Sequence, residues 1–305
     1  MRYVIIANPV AGRGRAERLA EAVHQRLTDT GAESRIEHTS ARGEAETIAA
    51  AALAQPRQPG GDRLCVVACG GDGTIQQVAN ALMQAPESRG VLGLAPGGRC
   101  NDFASSFGVE TDPVAIADVL LAGHLQAVDL GRVDDRYFCT VAAMGFDAAV
   151  SRFVNEMRLP LSGTAAYVYG VLRVLLRYRT VEATLSFGKS ERTGPLFLAA
   201  SANTPSYGGR MRIAPDANPH DGHLNVCVVA PLSRLRVLRL LRRVMRGAHQ
   251  DLPEVRFVRT PSMRIHTAQP QEIWADGEVI GRTPAVIQTI PAALNLLVPA
   301  RPNTP

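Results

Sequence analysis

Val66-Val67-Ala68-Cys69-Gly70-Gly71-Asp72-Gly73-Thr74-Ile75 joins an apolar run to three glycines and an aspartate, and Ile75, Val78, Ala79 and Leu82 then recur at helical spacing. That order predicts a buried strand, a tight turn and the start of a helix. Glycines at 70, 71 and 73 let the backbone bend and let a ligand approach it, while the unpaired amides of a helix's first turn favour negative charge. The stretch reads as a phosphate cradle. By itself it reads equally as an ordinary strand-to-helix corner.

The same unit stands at the start of the chain. Tyr3-Val4-Ile5-Ile6-Ala7 is an apolar strand, followed by the small-residue turn Asn8-Pro9-Val10-Ala11-Gly12-Arg13-Gly14-Arg15 and a helix to about Leu27. A short strand over 35–39, an alanine-rich helix over 44–54 and a loop over 55–62 with two prolines and two glycines lead to the strand before Gly70. Val91-Leu92-Gly93-Leu94-Ala95 adds another strand, which ends in Pro96-Gly97-Gly98-Arg99-Cys100-Asn101-Asp102-Phe103, and a helix follows over 113–121. Alternating strands and helices predict a parallel sheet with crossovers, whose ligands lie beyond the carboxyl ends of the strands. All three turns arrive at that edge.

From about Gln126 the character changes. Short β-prone runs over 128–133, 137–142, 181–187, 196–202, 224–229, 255–259, 263–267, 273–275 and 285–290 predict an antiparallel sandwich or flattened barrel, with helices at 164–178 and 233–245. The expected fold class is therefore α/β plus all-β, a parallel-sheet domain over 1–125 followed by an antiparallel β-sandwich domain over 126–290. Residues 291–305, through a strand at 294–298, are expected to return to the first domain.

A chain of 305 residues that is 46% hydrophobic has room for two cores, and a net charge of +5 with a pI near 9.2 favours acidic partners. Lys189 is the only lysine. A Walker-type loop needs a lysine after its glycines, so that nucleotide site is excluded, as is the kinase lysine strand. Phosphate must be held by backbone amides, arginines or a metal. Cys65, Cys69, Cys100, Cys139 and Cys227 have no C-x-x-C spacing and suit reduced, mostly buried thiols. Without an apolar stretch of membrane-spanning length, the expected place is the cytoplasm, peripheral to the inner face of the membrane where a lipid is met.

These residues carry a family signature. The chain resembles the bacterial diacylglycerol-kinase-like lipid kinases, whose catalytic domain also occurs in sphingosine and ceramide kinases. The resemblance runs through Asn8-Pro9-Val10-Ala11-Gly12, Thr39 before Gly43-Glu44-Ala45, Gly70-Gly71-Asp72-Gly73-Thr74, Pro96 to Phe103, Ile213-Ala214-Pro215-Asp216 with Asp221-Gly222, and Asp276-Gly277-Glu278. Six motifs in order cover almost the whole chain. The resemblance implies an ATP- and magnesium-dependent lipid kinase with its site in the cleft between a nucleotide-binding domain and a β-sandwich. It implies nucleotide contacts from Asn8, Pro9, Val10, Ala11, Gly12, Thr39, Gly70, Gly71, Asp72, Gly73, Thr74, Ile75, Gln76, Arg99, Asn101 and Asp102. Asp276 and Glu278 match the acidic pair that supplies the general base, Asp276 being preferred. Asp221 matches a magnesium-site aspartate, joined by backbone oxygens at Asn218 and His223 and by Asp216. The partners implied are a nucleotide and a lipid at the membrane surface, with no nucleic acid and with a homodimer left open.

The departures from the pattern are specific. Arg99 stands where the family's third motif carries threonine, and Gln76 and Gln77 stand where asparagine and glutamate are frequent. They motivate two other readings, a nucleotide- or lipid-binding regulator without turnover and an NAD kinase sharing the Gly-Gly-Asp-Gly turn. Asp72 also reads as a helix cap, Asp276-Gly277 as a hairpin turn, and Asp216 and Asp221 as plain turn residues. Arg13 and Arg15 read as neutralising nucleotide charge or as solvated helix-start residues. In 233–245, Leu235, Leu238, Leu241 and Met245 form an apolar face among arginines, suited to covering the sandwich or to lying on anionic lipid.

Overall fold

The structure is a computed structural model and describes residues 1–55, 63–85, 90–156, 164–209 and 211–300, so the loop expected over 55–62 lies almost wholly outside the described residues. The chain divides into two compact units, 1–128 with 292–305, and 129–291.

In the first unit β1 (Arg2–Ala7), α1 (Arg15–Asp29), β2 (Ser34–His38), α2 (Glu44–Leu53), β3 (Leu64–Gly70), α3 (Asp72–Gln84), β4 (Val91–Pro96), α4 (Asp102–Ser106) and α5 (Pro113–Ala122) follow one another. The strands pair in parallel in the order β2-β1-β3-β4. A parallel sheet is covered on both faces, which is why Val4, Ile5, Ile6, Val66, Val67, Leu92 and Leu94 are all buried rather than alternating. α1 lays Ala16, Leu19, Ala20, Val23 and Leu27 inward at helical spacing, and each of its larger side chains contributes about 1.5–3 kcal/mol. α5 starts where Asp112 Oδ2 accepts the Ala115 N–H at 2.9 Å with Pro113 in its first turn. β1 has β2 on one side and β3 on the other, so the turns leaving β1 and β3 part company at neighbouring points. Such a switch in strand order is where an open α/β sheet holds its ligand.

Chain order continues with β5 (Leu125–Val133), β6 (Arg136–Phe138), β7 (Val141–Gly145), α6 (Phe146–Glu156), α7 (Thr164–Leu175), β8 (Val181–Phe187), β9 (Ser190–Leu196), β10 (Leu198–Ala202), β11 (Leu224–Val229), α8 (Arg234–Val244), β12 (Val255–Thr260), β13 (Ser262–Thr267), β14 (Glu272–Ala275), β15 (Glu278–Arg282) and β16 (Ala285–Leu297). The second unit holds an antiparallel sheet β12-β11-β10-β7-β14-β15 and the antiparallel run β9-β8-β13-β16. Strand alternation divides its core in two. Ala142, Met144, Ala199, Val226 and Val228 meet Ala183, Leu185, Met263, Ile265 and Ile287 in the sandwich. Val141, Ala143, Ala200, Cys227 and Val229 face the other way, onto α6, α7 and α8. The α/β and antiparallel sandwich architecture is the fold class expected, with a helical layer added to it.

Four local expectations change. α6 was not foreseen, and neither was β9, whose Ser190, Glu191, Arg192, Thr193 and Pro195 are exposed in the manner of an edge strand. The runs at 285–290 and 294–298 are one strand of 13 residues, continuous through Pro291 and Ala292 at φ 46°. Its first half pairs with β13 and its Leu296 pairs with Leu92 of β4, so the proline costs one ladder donor without ending the strand. In α8 the buried face is Val237, Leu240 and Val244, with Leu235, Leu238 and Met245 outward. No helix among the described residues is long and apolar enough to cross a membrane.

Candidate active site

Three backbone turns of the first unit meet. Asn8 N donates to Cys69 O at 2.9 Å, tying the end of β1 to the end of β3, and Gly97 N and Gly98 N both donate to Gly70 O at 2.9 Å. The loops touch so closely that a Cβ on Gly12 would run into the Gly97 carbonyl, and one on Gly98 into the Cα of Gly71. Gly12 (φ 59°), Arg13 (φ 61°) and Gly14 (φ 83°) are left-handed in succession, a conformation that turns consecutive backbone groups toward one side. Arg15 is exposed at the start of α1 and donates through Nη2 to the Gly98 carbonyl, tying that helix start to the third loop.

Asp72 caps a helix other than the one it opens. α3 starts with no side-chain cap, and Asp72 Oδ1 accepts the N–H of Phe103 at 3.1 Å, capping α4. Desolvation raises its pKa, opposed by hydrogen bonds from the backbone amides of Phe103, Asp102 and Asn101. Burial, with the negative charge of Asp102 and Asp72, pushes the Cys100 thiol up to about 12. Asn101 sits at φ 57° and its Nδ2 donates to Pro96 O and Gly98 O at 3.4 and 3.3 Å, while its buried Oδ1 has no partner among the described residues.

The remaining nucleotide candidates divide by exposure. Asn8, Pro9, Ala11, Gly12, Gly71 and Gly73 are partly open, Val10 is 81% exposed, and the Arg99 side chain is exposed. Thr39 is buried beyond β2, its N–H on Ala7 O at 2.9 Å. Thr74, Ile75 and Gln76 are buried at the start of α3, Thr74 packing against Gly70 and Ile75 bonding through its N–H to Gly71 O at 3.1 Å. Gln76 Nε2 is buried without a partner among the described residues.

In the second unit, Asp276 (φ 51°) and Gly277 (φ 86°) form the two-residue turn between β14 and β15, the left-handed pair that a tight hairpin requires. The Asp276 carboxylate accepts the Cys139 N–H at 2.6 Å on Oδ2, and the Thr140 N–H at 3.0 Å and the Thr140 hydroxyl on Oδ1. Glu278 opens β15 and is half-buried.

Of the residues expected at a cation site, Asn218, Asp221 and His223 lie together in one loop, whereas Asp216 bonds elsewhere. Asp221 Oδ2 pairs with the Arg259 guanidinium at 3.2 Å and its Oδ1 accepts the His223 N–H at 3.0 Å, while Asp221 O accepts from His223 Nδ1 at 2.7 Å. Asn218 O takes the Asp221 N–H at 3.4 Å, and Asp216 accepts from Gln250 at 2.5 Å. The Arg259 guanidinium is the positive charge that stands beside the Asp221 carboxylate.

Sequence reasoning missed the polar network between these turns. Buried Asn203 donates from Nδ2 to Asp129 O and Cys139 O, both at 2.9 Å, and its N–H bonds Thr140 O at 2.9 Å. Buried Asp129 accepts the Gly222 N–H at 2.7 Å. The chain of bonds runs from the Asp276 turn through 139–140 and Asn203 to Asp129 and the 218–223 loop. Its one local signal is a polar Asn203-Thr204 pair closing a strand of small apolar residues. Also missed was Asp147, which burial pushes up to about 7 although the Tyr207 hydroxyl donates to it at 2.5 Å.

Comparison with known proteins gives the family and the fold. Residues 2–133 match the model of the diacylglycerol kinase catalytic domain, and residues 140–298 match that of the YegS C-terminal NAD kinase beta sandwich-like domain. The chain is 36% identical over 306 residues to a diacylglycerol kinase of Mycobacterium tuberculosis, covering 98% of this chain and 95% of that one. A diacylglycerol kinase of Bacillus subtilis is 26% identical over 300 residues, covering 98% and 96%. A crystal structure of a diacylglycerol kinase from Bacillus anthracis shares the fold at a TM-score of 0.73 and 19% identity, over 98% of this chain and 97% of that one.

Proposed function

The chain belongs to the diacylglycerol kinase family and is a lipid kinase, and we propose that it transfers the γ-phosphoryl group of ATP to the free hydroxyl of diacylglycerol at a membrane surface. The observation that carries this reading is the meeting of three glycine-bearing turns at the switch point of the parallel sheet, in a chain with one lysine. Backbone amides of the Gly12 to Gly14 turn and of the α3 start take phosphate oxygens, and Arg13 and Arg99 balance the remaining charge.

Phosphoryl transfer asks for positioning and charge stabilisation more than for covalent chemistry. Asp72 and Asp102 are the carboxylates that would hold magnesium brought in with the nucleotide, which when bound would neutralise phosphate charge. Asp276, fixed on its turn, takes the acceptor hydroxyl's proton as that oxygen attacks the γ-phosphorus and ADP leaves; Glu278 is the alternative base.

The test incubates the purified chain with labelled ATP, magnesium and diacylglycerol, sphingoid, polyprenol, phosphatidylglycerol and NAD acceptors in parallel. Labelled phosphatidic acid is the expected product. Label on NAD alone would favour the second reading, which rests on the sandwich model matched by residues 140–298. ATP bound tightly with no acceptor labelled would overturn both in favour of a regulator.

A further inference from the structure

The exposed apolar side chains are concentrated in one place. Five of the ten large hydrophobics exposed among the described residues, Leu172, Leu176, Leu235, Leu238 and Met245, lie on α7 and α8 or one residue beyond them, with exposures from 36% to 74%. Both helices use their opposite faces for the core of the second unit, through Val171 and Leu175 of α7 and Val237, Leu240 and Val244 of α8. The leucines are therefore a second apolar stripe and not a core left open. Arg234 donates from Nη2 to Leu176 O at 2.7 Å, which sets the end of α7 against the start of α8 and puts Leu176 and Leu235 at one junction. Single exposed leucines are ordinary, whereas a run of them on two adjoining helices marks an interaction surface.

The charge around the stripe has one sign. Neither α7 nor α8 contains an acidic residue, and exposed Arg173, Arg177, Arg234, Arg239, Arg242 and Arg246 interleave with the leucines. The carboxylates facing the helices from neighbouring elements are engaged at their edges: Glu254 with Arg236, Asp251 with Arg243 at 2.8 Å, Asp216 with Gln250, and Glu156 of α6 with Arg152.

We propose that this α7–α8 face is the surface by which the protein lies on a bilayer carrying anionic lipid, its leucines and Met245 entering the headgroup layer and its arginines meeting lipid phosphates. A basic helix face with exposed aliphatic side chains is matched by such a surface along its whole length, because every anionic headgroup supplies a counter-charge over an apolar interior. The lipid-kinase reading gives the surface a use, and its charge and exposure stand independently of that reading.

The test is sedimentation of the full chain with vesicles, without nucleotide, so that its outcome is independent of whether the kinase reading holds. Vesicles of equal parts phosphatidylglycerol and phosphatidylcholine should bind the protein, pure phosphatidylcholine vesicles far less, and added salt should release it. Replacing Arg239, Arg242 and Arg246 together by Gln should lower the partition coefficient about 10²-fold, at about fivefold per arginine near an anionic surface. Leu176→Ser with Leu235→Ser should lower it about tenfold, and as both sites are exposed the melting temperature of each variant should hold. Equal binding to neutral and anionic vesicles, or binding unchanged in both variants, would overturn the proposal. So would light scattering that shows a dimer which the serine variant dissolves, for the face would then belong to a second copy.

Discussion

Asp276→Asn keeps the shape of the side chain and, because asparagine is one of the few residues that accept a left-handed backbone, keeps the φ of 51° that the turn requires. What changes is charge and one acceptor. Oδ1 takes the Thr140 N–H and hydroxyl, and Oδ2 takes the Cys139 N–H at 2.6 Å, so in either amide orientation an NH₂ group faces a backbone donor. An unsatisfied amide costs about 1–3 kcal/mol, and loss of the charge-assisted character of the remaining bonds adds about 1 kcal/mol. The expected destabilisation is about 2–4 kcal/mol, a fall in melting temperature of about 4–16 °C. If Asp276 is also the base, turnover falls about 10²- to 10⁴-fold at temperatures where the variant is fully folded. Thr140→Val separates the two roles: it removes a single donor, so stability should drop by about 1 kcal/mol while turnover stays within tenfold. Calorimetry and a steady-state assay well below both melting points supply the readings. A melting temperature unchanged in Asp276→Asn would refute the hydrogen-bond reasoning, and full turnover in the folded variant would refute the assignment of the base.

Burial pushes Asp147 up to about 7, so the folded carboxyl keeps its proton where the unfolded one, near 4, has lost it. The stability this group contributes is fully present below about pH 4 and is lost as pH rises through about 7, about 4 kcal/mol in all. Asp147→Asn retains an acceptor for Tyr207 and should abolish that slope; parallel urea-denaturation profiles for wild type and variant from pH 5 to pH 8 would refute the reading. Gly98→Ala drives a methyl group into the backbone of Gly71 and should separate the two phosphate turns, weakening ATP binding at least about tenfold and stability by about 1–3 kcal/mol. Titration calorimetry giving an unchanged ATP affinity would show that the contact between the loops does not shape the nucleotide site.

What was legible in the sequence was local. Strands β1, β3 and β4 are short apolar runs that end in glycine or proline turns, and their alternation with helices leaves a parallel sheet as the simplest solution. The places that were misread involve information that periodicity does not contain. α8 has apolar residues at 235, 237, 238, 240, 241, 244 and 245, enough for two stripes, and only the core it meets selects Val237, Leu240 and Val244. β16 carries a proline that reads as a break but falls where one half of the strand ends its pairing with β13 and the other has yet to reach β4. Asn203 and Asp129 could not be singled out because their bonds join residues 64 to 93 positions apart, and a polar residue in a strand acquires meaning only from such partners.

The two aspartates that the motifs make most prominent share a structural device. Asp72 reaches 31 residues along the chain to hold the start of α4, and Asp276 reaches back 136 residues to hold Thr140. Each carboxylate fixes a distant backbone segment instead of standing free in solvent. A kinase with one lysine has to stabilise phosphate charge largely with amide dipoles and arginines, and an amide, unlike a lysine, cannot swing toward its ligand. Its contribution depends on being held in the reacting geometry before the charge develops, because dipoles that need not reorient lose nothing to reorganisation. Carboxylates that order the loops are what such a site requires, and they make a steep dependence of turnover on loop geometry the expected behaviour: in Gly98→Ala, and in any variant that releases α4 from Asp72, turnover should fall further than stability.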